Sequence, residues 1–453
     1  MRQAPHTTQL ERLSREDARI LGLESGNVRG HTVKVFLVEG RHDGDAVRRH
    51  VAARLGAEPR LRQRLAPTPL RLAPPAWVDD PSFDLIWHVR ARPFEGDLRR
   101  LVAELMVEAL DRRRPLWRMD VASPVEGDRT AIVWRVHHCM ADGGTVMRMA
   151  TRLFLDSEPN PQPPTAPEWR PAATPRPRAL FSAGARERVH GLAEARRSAV
   201  SRDPWLERWR GLARLPRTVW RELSPSGASS PLDVMAGPRR KVEFVSAELA
   251  ALKRIEHTAS ERVTVNDIVL SAVAGGLRRW LVHHGASLDG LRLKVPVSLH
   301  PGTEDGLANR DRFIFVELPL ELGDPHERLL AVGRQTRVRK ADRDAQALDT
   351  LLRDLARLSA PLERRAERWL MSPRVFTLTV SNVRGPDAPV WVMGARLRAL
   401  HSLAEIADRH ALRVAVVSAA GRVSFGLCAD ADAVNRLELV SQGLAAEIEA
   451  LLQ

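Results

Sequence analysis

The sequence predicts an α/β protein of two domains, and three observations carry that reading. Segments with strand and helix periodicity alternate through both halves of the chain, the pattern of mixed-layer domains. The length, 453 residues, exceeds the roughly 100–200 of one ordinary domain. From Glu158 to Pro177 the chain becomes proline-dense, "EPNPQPPTAPEWRPAATPRP", which forbids regular helix and marks an exposed connection. The expected division is a first domain over 1–157, a proline- and arginine-rich connector over 158–238, and a second domain over 239–453.

Each element has its own signal. "LSREDARILGL" reads as a capped helix, in which Ser14 accepts from first-turn amides and Asp17 reaches back. "HTVKVFLVEG" alternates as a strand, with Val33, Val35 and Leu37 on one face. "DGDAVRRHVAARL" brings Val47 and Val51 together at helical spacing, and "GDLRRLVAELMVEALDRRRPLW" does so through Leu101, Leu105, Val107 and Leu110, with Pro115 expected to stop it. "RTAIVWRVHH" is the clearest strand of the first half; "GTVMRMATRLF" after it is a helix with Val146, Met149, Ala150 and Leu153 inward. Beyond the prolines, a basic helical segment from Ala179 to Leu223 groups Trp205, Leu206, Trp209 and Leu212 on one face. Over Arg202 to Glu222 six arginines oppose three acids, which fits a helix lying at a lipid interface as well as one packed on its own domain. The second half reads as strand "RRKVEFVSA", helix "TVNDIVLSAVAGGLRRWL", strands "LRLKVPVSLHP" and "RFIFVELPL", a long helical stretch from Pro325 to Leu370, two strand-rich segments and a final helix from Asp432 to Leu452.

Composition narrows the function classes. Hydrophobic residues make up 44% and aromatics 5%, with no tyrosine, so the core is mainly Leu, Val and Ala. The excess of 70 basic over 56 acidic residues is almost all arginine; it suits a solvated surface, an anionic membrane or a phosphate-bearing cosubstrate. Nucleic acid is not expected, because no aromatic and glycine pattern of an RNA-binding sheet and no zinc-finger spacing accompanies the charge. Cys139 and Cys428, far apart and in apolar surroundings, read as reduced thiols of a cytoplasmic protein. The start has no apolar leader, and no apolar run approaches the roughly 18–20 residues that cross a bilayer, so any contact with a membrane or lipid inclusion is expected to be peripheral.

The chemistry concentrates in "WRVHHCMADGGTVMRMA", on the turn between that strand and that helix. A metal site is disfavoured: side chains alternate along a strand, so His137 and His138 do not easily close on one ion, and no third ligand follows at helical spacing. A single general base suits the pattern better, one imidazole facing a cleft and the other the interior. Asp142 can hold the loop by pairing with a distant arginine, and Gly143 and Gly144 let the backbone bend. Cys139 raises a covalent acyl-cysteine route, which strand alternation disfavours by turning the thiol away from His138.

The string from His137 to Gly143 matches HHxxxDG. With Pro115-Leu116-Trp117, Asn266-Asp267, "TVSNVRGP", "VSFGLCAD" and the opening "LSREDARILGLES", all in order over nearly the whole chain, the sequence resembles the wax ester synthase/diacylglycerol acyltransferase family. The resemblance implies two chloramphenicol-acetyltransferase-like domains facing each other across a central tunnel. It implies His138 as catalytic base, with His137, Asp142 and Gly143 supporting the motif. It further places Asn266 and Asp267 near the reacting centre and Ser381 and Asn382 where an oxyanion would be supported. The implied co-substrate is acyl-CoA, with no permanently bound cofactor or metal, and the acceptor is diacylglycerol or a long-chain alcohol. Arg384 and Ala308 stand where that family usually has proline and glycine, and "CMA" is an unusual interior for the motif. Two rival readings are a condensation-type enzyme using carrier-protein thioesters and an inactive scaffold on lipid inclusions.

Overall fold

The computed structural model describes residues 10–24, 26–94, 96–159, 168–200, 224–225, 230–297, 312–341, 365–366 and 368–453. The tryptophan-bearing segment over 202–222 and Ala308 lie outside the described residues. Helix α1 (Arg15–Leu23) starts as its sequence dictates: Ser14 Oγ accepts from the Asp17 amide at 2.9 Å, and the Asp17 carboxylate accepts from that hydroxyl at 2.6 Å. Strand β1 (His31–Glu39) is buried from His31 to Val38 on both faces. Val33, Val35 and Leu37 pack toward α4 (Leu98–Val107), whereas Phe36 and Val38 pack toward α2 (Gly44–Arg54) and α5 (Gly143–Phe154).

Helix α4 ends well before Pro115. Glu108 takes an extended conformation as its C-cap, and its carboxylate accepts from Arg90, Arg92 and Arg135 at 2.8–3.1 Å. The chain leaves the helix to deliver that carboxylate, and proline has no part in the ending. The short pair β2 (Gln63–Ala66) and β3 (Ala76–Asp79) and the single-turn α3 (Leu85–His88) lead to β4 (Val89–Ala91), β5 (Trp117–Val125) and β6 (Arg129–His137). Helix α5 buries Val146, Met149, Ala150 and Leu153 as its periodicity requires, and α6 (Pro177–Val200) lies within the 158–238 segment.

The second half builds its own sheet from β7 (Arg240–Glu248), β8 (Arg292–Val297), β9 (Arg312–Glu317), β10 (Leu378–Arg384), β13 (Leu412–Ala419) and β14 (Arg422–Asp430), in the order β7-β14-β13-β10-β8-β9. One face is covered by α7 (Leu249–Thr258), α8 (Val265–His283), α9 (Pro325–Ala341) and α10 (Leu437–Ala450) in a continuous aliphatic core. Two strands between β10 and β13 belong elsewhere. β11 (Trp391–Val392) and β12 (Ala395–Ala404) complete the first sheet, whose order is β11-β12-β1-β6-β5-β4. The first sheet is therefore made from stretches hundreds of residues apart, and β12 fastens the halves together. The fastening is close: a Cβ on Gly426 of β14 would lie 2.0 Å from the Ser402 carbonyl of β12. Lys34, buried on β1, donates to Ser402 Oγ at 2.7 Å, and burial pushes its pKa down to about 8.

Candidate active site

Strand β6 stops at His137, which pairs with His31 of β1. The His137 amide donates to the Leu116 carbonyl at 2.9 Å and the His138 amide to the Gly30 carbonyl at 2.7 Å, so neighbours on both sides clamp the two histidines. Met140 N donates to His137 O at 2.9 Å and closes a turn. His138 thus sits in that turn, beyond the strand. Its side chain is half-buried, whereas His137 is only 1% exposed. One imidazole faces inward and the other keeps access, as a general base requires.

The expected pairing of Asp142 with a distant arginine is not found among the described residues. The Asp142 carboxylate accepts from Thr145 N at 2.6 Å and caps α5. Leu116, just ahead of β5, and Trp117, its first residue, support the turn. The Trp117 indole is buried, donates to Leu61 O at 2.7 Å and stacks on His88 with ring centres 4.3 Å apart. Beneath the turn, Arg135 and Asp120 form a buried pair at 2.9 Å. Cys139 is 2% exposed, and burial pushes its thiol far above the usual cysteine range, which leaves no thiolate to attack a thioester.

Behind the turn lie groups that spacing did not reveal. His137 Nδ1 accepts from the Cys139 amide at 3.1 Å, and Nε2 faces Glu24 Oε2 at 3.7 Å. Glu24, the C-cap of α1, also accepts from Arg112 at 2.9 and 2.5 Å. Burial raises the Glu24 pKa, but His137 and Arg112 outweigh it and hold the carboxyl at about 2. Burial first, then the charge of Arg135, pushes His31 well below the ordinary histidine value. A Cβ on Gly30 would lie 2.3 Å from His137 Nε2, so only glycine fits there.

From the second half, β10 packs against α5: a Cβ on Gly143 would meet Val383 Cγ2 at 3.2 Å. Along β10, Val380 enters the helix-covered core and Val383 packs with the α5 core. Alternation then sets Ser381 on the α5 face and Asn382 on the opposite one. Asn382 Nδ2 duly donates to Asn266 Oδ1 at 3.4 Å, at the start of α8. Asp267 is 1% exposed and its carboxylate is fully engaged, accepting from Thr264 N and Oγ1 at 2.8 and 2.7 Å and from Thr336 Oγ1 at 2.6 Å. It caps α8 and ties it to α9. A cleft of about 770 Å³ between Glu39–His42 and Pro389–Arg396 sits at the far end of β1 from these histidines.

Comparison with known proteins decides the lineage. Residues 13–269 match the model of the wax ester synthase/diacylglycerol acyltransferase catalytic domain, and 307–452 match that family's C-terminal domain. The chain belongs to the wax ester synthase/diacylglycerol acyltransferase family. It is an acyltransferase. A Mycobacterium tuberculosis relative named as a putative diacylglycerol O-acyltransferase is 30% identical, over 98% of this chain and 97% of its own. A second from that organism, named as the probable diacylglycerol O-acyltransferase tgs1, is 30% identical over 89% and 86%. The wax ester synthase/diacylglycerol acyltransferase structure from Marinobacter aquaeolei VT8 superposes with a TM-score of 0.69 at 22% identity, covering 98% of each chain. The first condensation domain of the calcium-dependent antibiotic synthetase shares the fold, with a TM-score of 0.57 at 14% identity, over 98% and 97%. Among the described residues no helix is long and apolar enough to cross a membrane.

Proposed function

We propose that this family member moves a long-chain acyl group from acyl-CoA to the hydroxyl of diacylglycerol or a fatty alcohol, giving triacylglycerol or wax ester. The observation that carries the reading is the half-buried His138, whose amide bonds to the Gly30 carbonyl while His137 beside it bonds to Leu116, where α5 meets β10 of the second half. An alcohol is too weakly acidic to ionise before it reacts, so proton removal accompanies attack. His138 takes the hydroxyl proton as the oxygen attacks the thioester carbonyl. The tetrahedral intermediate collapses with cleavage of the C–S bond, and the imidazolium returns its proton to the coenzyme A sulfur.

Ser381, on the α5 face of β10, is the better placed of the two candidate oxyanion donors; such a donor is worth roughly 3–4 kcal/mol in acyl transfer. Asn382 and Asn266 instead brace β10 against α8. His137, Asp142, Gly143 and Asp267 hold the scaffold, and the arginine surplus suits the phosphates of coenzyme A and peripheral contact with a lipid surface. The test incubates the protein with palmitoyl-CoA, hexadecanol and dioleoylglycerol and resolves the lipid products. The parent forms ester with release of coenzyme A, and His138→Ala loses nearly all of it; a parent that binds neutral lipid but never releases coenzyme A refutes the assignment.

A further inference from the structure

We infer that Glu24, anchored by Arg112, is a positioning residue for acyl transfer: it holds the His137 ring in the tautomer that fixes the turn carrying His138. This rests on His138 being the base. A backbone amide can only donate, so the Cys139 bond at 3.1 Å requires an unprotonated Nδ1, and the proton of neutral His137 sits on Nε2. That nitrogen is buried and makes no hydrogen bond among the described residues; it faces the Glu24 carboxylate at 3.7 Å, longer than a hydrogen bond but close enough for a negative charge to favour N–H over a lone pair.

Glu24 is itself held. Its side chain is 9% exposed, and Oε2 accepts from two nitrogens of Arg112, which also donates to the Leu21 carbonyl at 2.9 Å and so ties the last turn of α1 to the loop before Pro115. Around the neighbouring His31 the other charged groups are Arg135 on β6 and Arg29 ahead of β1, and Asp17 acts on Cys139 from α1. Arg135 is occupied with Asp120 and Glu108, and Arg29 with the Val107 carbonyl. The low pKa of Glu24 keeps its charge in place through the working pH range.

Without the carboxylate only the Cys139 N–H still selects the Nε2–H tautomer, and the weight of the Nδ1–H form rises. The Nδ1–H form then points a donor at the Cys139 N–H, and the turn loses the bond that sets the direction of His138. A displacement on the order of 1 Å at the base lowers turnover about 100-fold, while substrate contacts elsewhere are untouched. Glu24→Ala is therefore expected to lower kcat by about 10- to 100-fold with KM for acyl-CoA and alcohol changed by less than about twofold. Glu24→Gln, which keeps an acceptor oxygen at the same reach, retains more turnover than Glu24→Ala. The Glu24→Ala/Arg112→Ala double variant loses less than the product of the two single losses, because the pair shares one device while Arg112 also holds the Leu21 carbonyl.

Nitrogen-15 NMR of histidine-labelled protein reads the ring directly and needs no turnover. Native His137 is expected to show one protonated and one unprotonated nitrogen, and Glu24→Ala a pair averaged toward each other. If the native protein transfers no acyl group, the base assignment falls, and the ring spectrum still decides the role of Glu24. An unchanged His137 spectrum in Glu24→Ala overturns the inference, whether kcat stays near native or falls only in step with the folded fraction measured by circular dichroism.

Discussion

Gly30→Ala adds a single methyl group and attacks the site through packing alone. The new carbon would lie 2.3 Å from Nε2, 2.7 Å from Cε1 and 3.2 Å from Cδ2 of His137, where ordinary contact begins near 3.4 Å. Methyl and ring must therefore part by about 1 Å. The strand cannot yield freely, because the Gly30 carbonyl accepts from the His138 amide at 2.7 Å and would carry the base with it. The ring cannot yield freely either, since Cys139 N holds its Nδ1 and Glu24 lies beyond its Nε2. Overpacking of this kind costs about 1–3 kcal/mol of stability. A shift of about 1 Å at the base costs on the order of 100-fold in turnover, or about 2.7 kcal/mol in barrier. Release of coenzyme A thiol from palmitoyl-CoA with hexadecanol measures the second figure, and thermal unfolding the first. A Gly30→Ala protein with native turnover and native melting temperature refutes the packing argument.

Cys139→Ala keeps most activity in the same thiol-release assay, since the buried, protonated thiol is no nucleophile; a loss as deep as that of His138→Ala overturns this. Ser381→Ala lowers kcat by about 100-fold or more, and Asn382→Ala lowers it far less, because only the first shares a face with the α5 contact; the reverse ranking shows that the strand presents its other face. Burial holds His88 at a pKa of about 3 despite its bond to the Trp117 carbonyl. The unfolded chain takes up a proton below about 6.5 and the folded one does not. The stability His88 contributes is complete above that pH and is lost as pH falls from about 6.5 toward 3, by at most about 1.4 kcal/mol per unit. Denaturant titrations across this range should show a shallower acid-side loss in His88→Phe, and an unaltered slope rules the site out as a contributor.

Much of the chemistry was legible because it is local. The periodicities that mark α1, β6 and α5 depend on neighbours within one or two turns, and the cap at Ser14 lies where short-range hydrogen bonding puts it, whereas Asp142, read as the partner of a distant arginine, caps α5. Other features gave no local signal. Both faces of β1 are buried because α4 covers one and α2 with α5 the other, and α4 ends at Val107 where three arginines hold Glu108. Gly30 and Glu24 look ordinary in "LGLESGNVRG" and acquire meaning only when β1 is set in register beside β6. Asp267 carries a motif position yet spends its carboxylate on a helix cap.

By itself the sequence determined the two-half α/β organisation, the family and the strand–turn–helix that bears His137, His138 and Asp142, since periodicity, capping and motif spacing are properties of contiguous residues. Tertiary structure alone decided which histidine is sealed and which is open, which face of β10 meets the first half, and that Glu24, Gly30 and Leu116 converge on one turn. Those outcomes depend on strand register and on β12 crossing between sheets, and a pairing between residues hundreds of positions apart leaves no periodic trace in either partner.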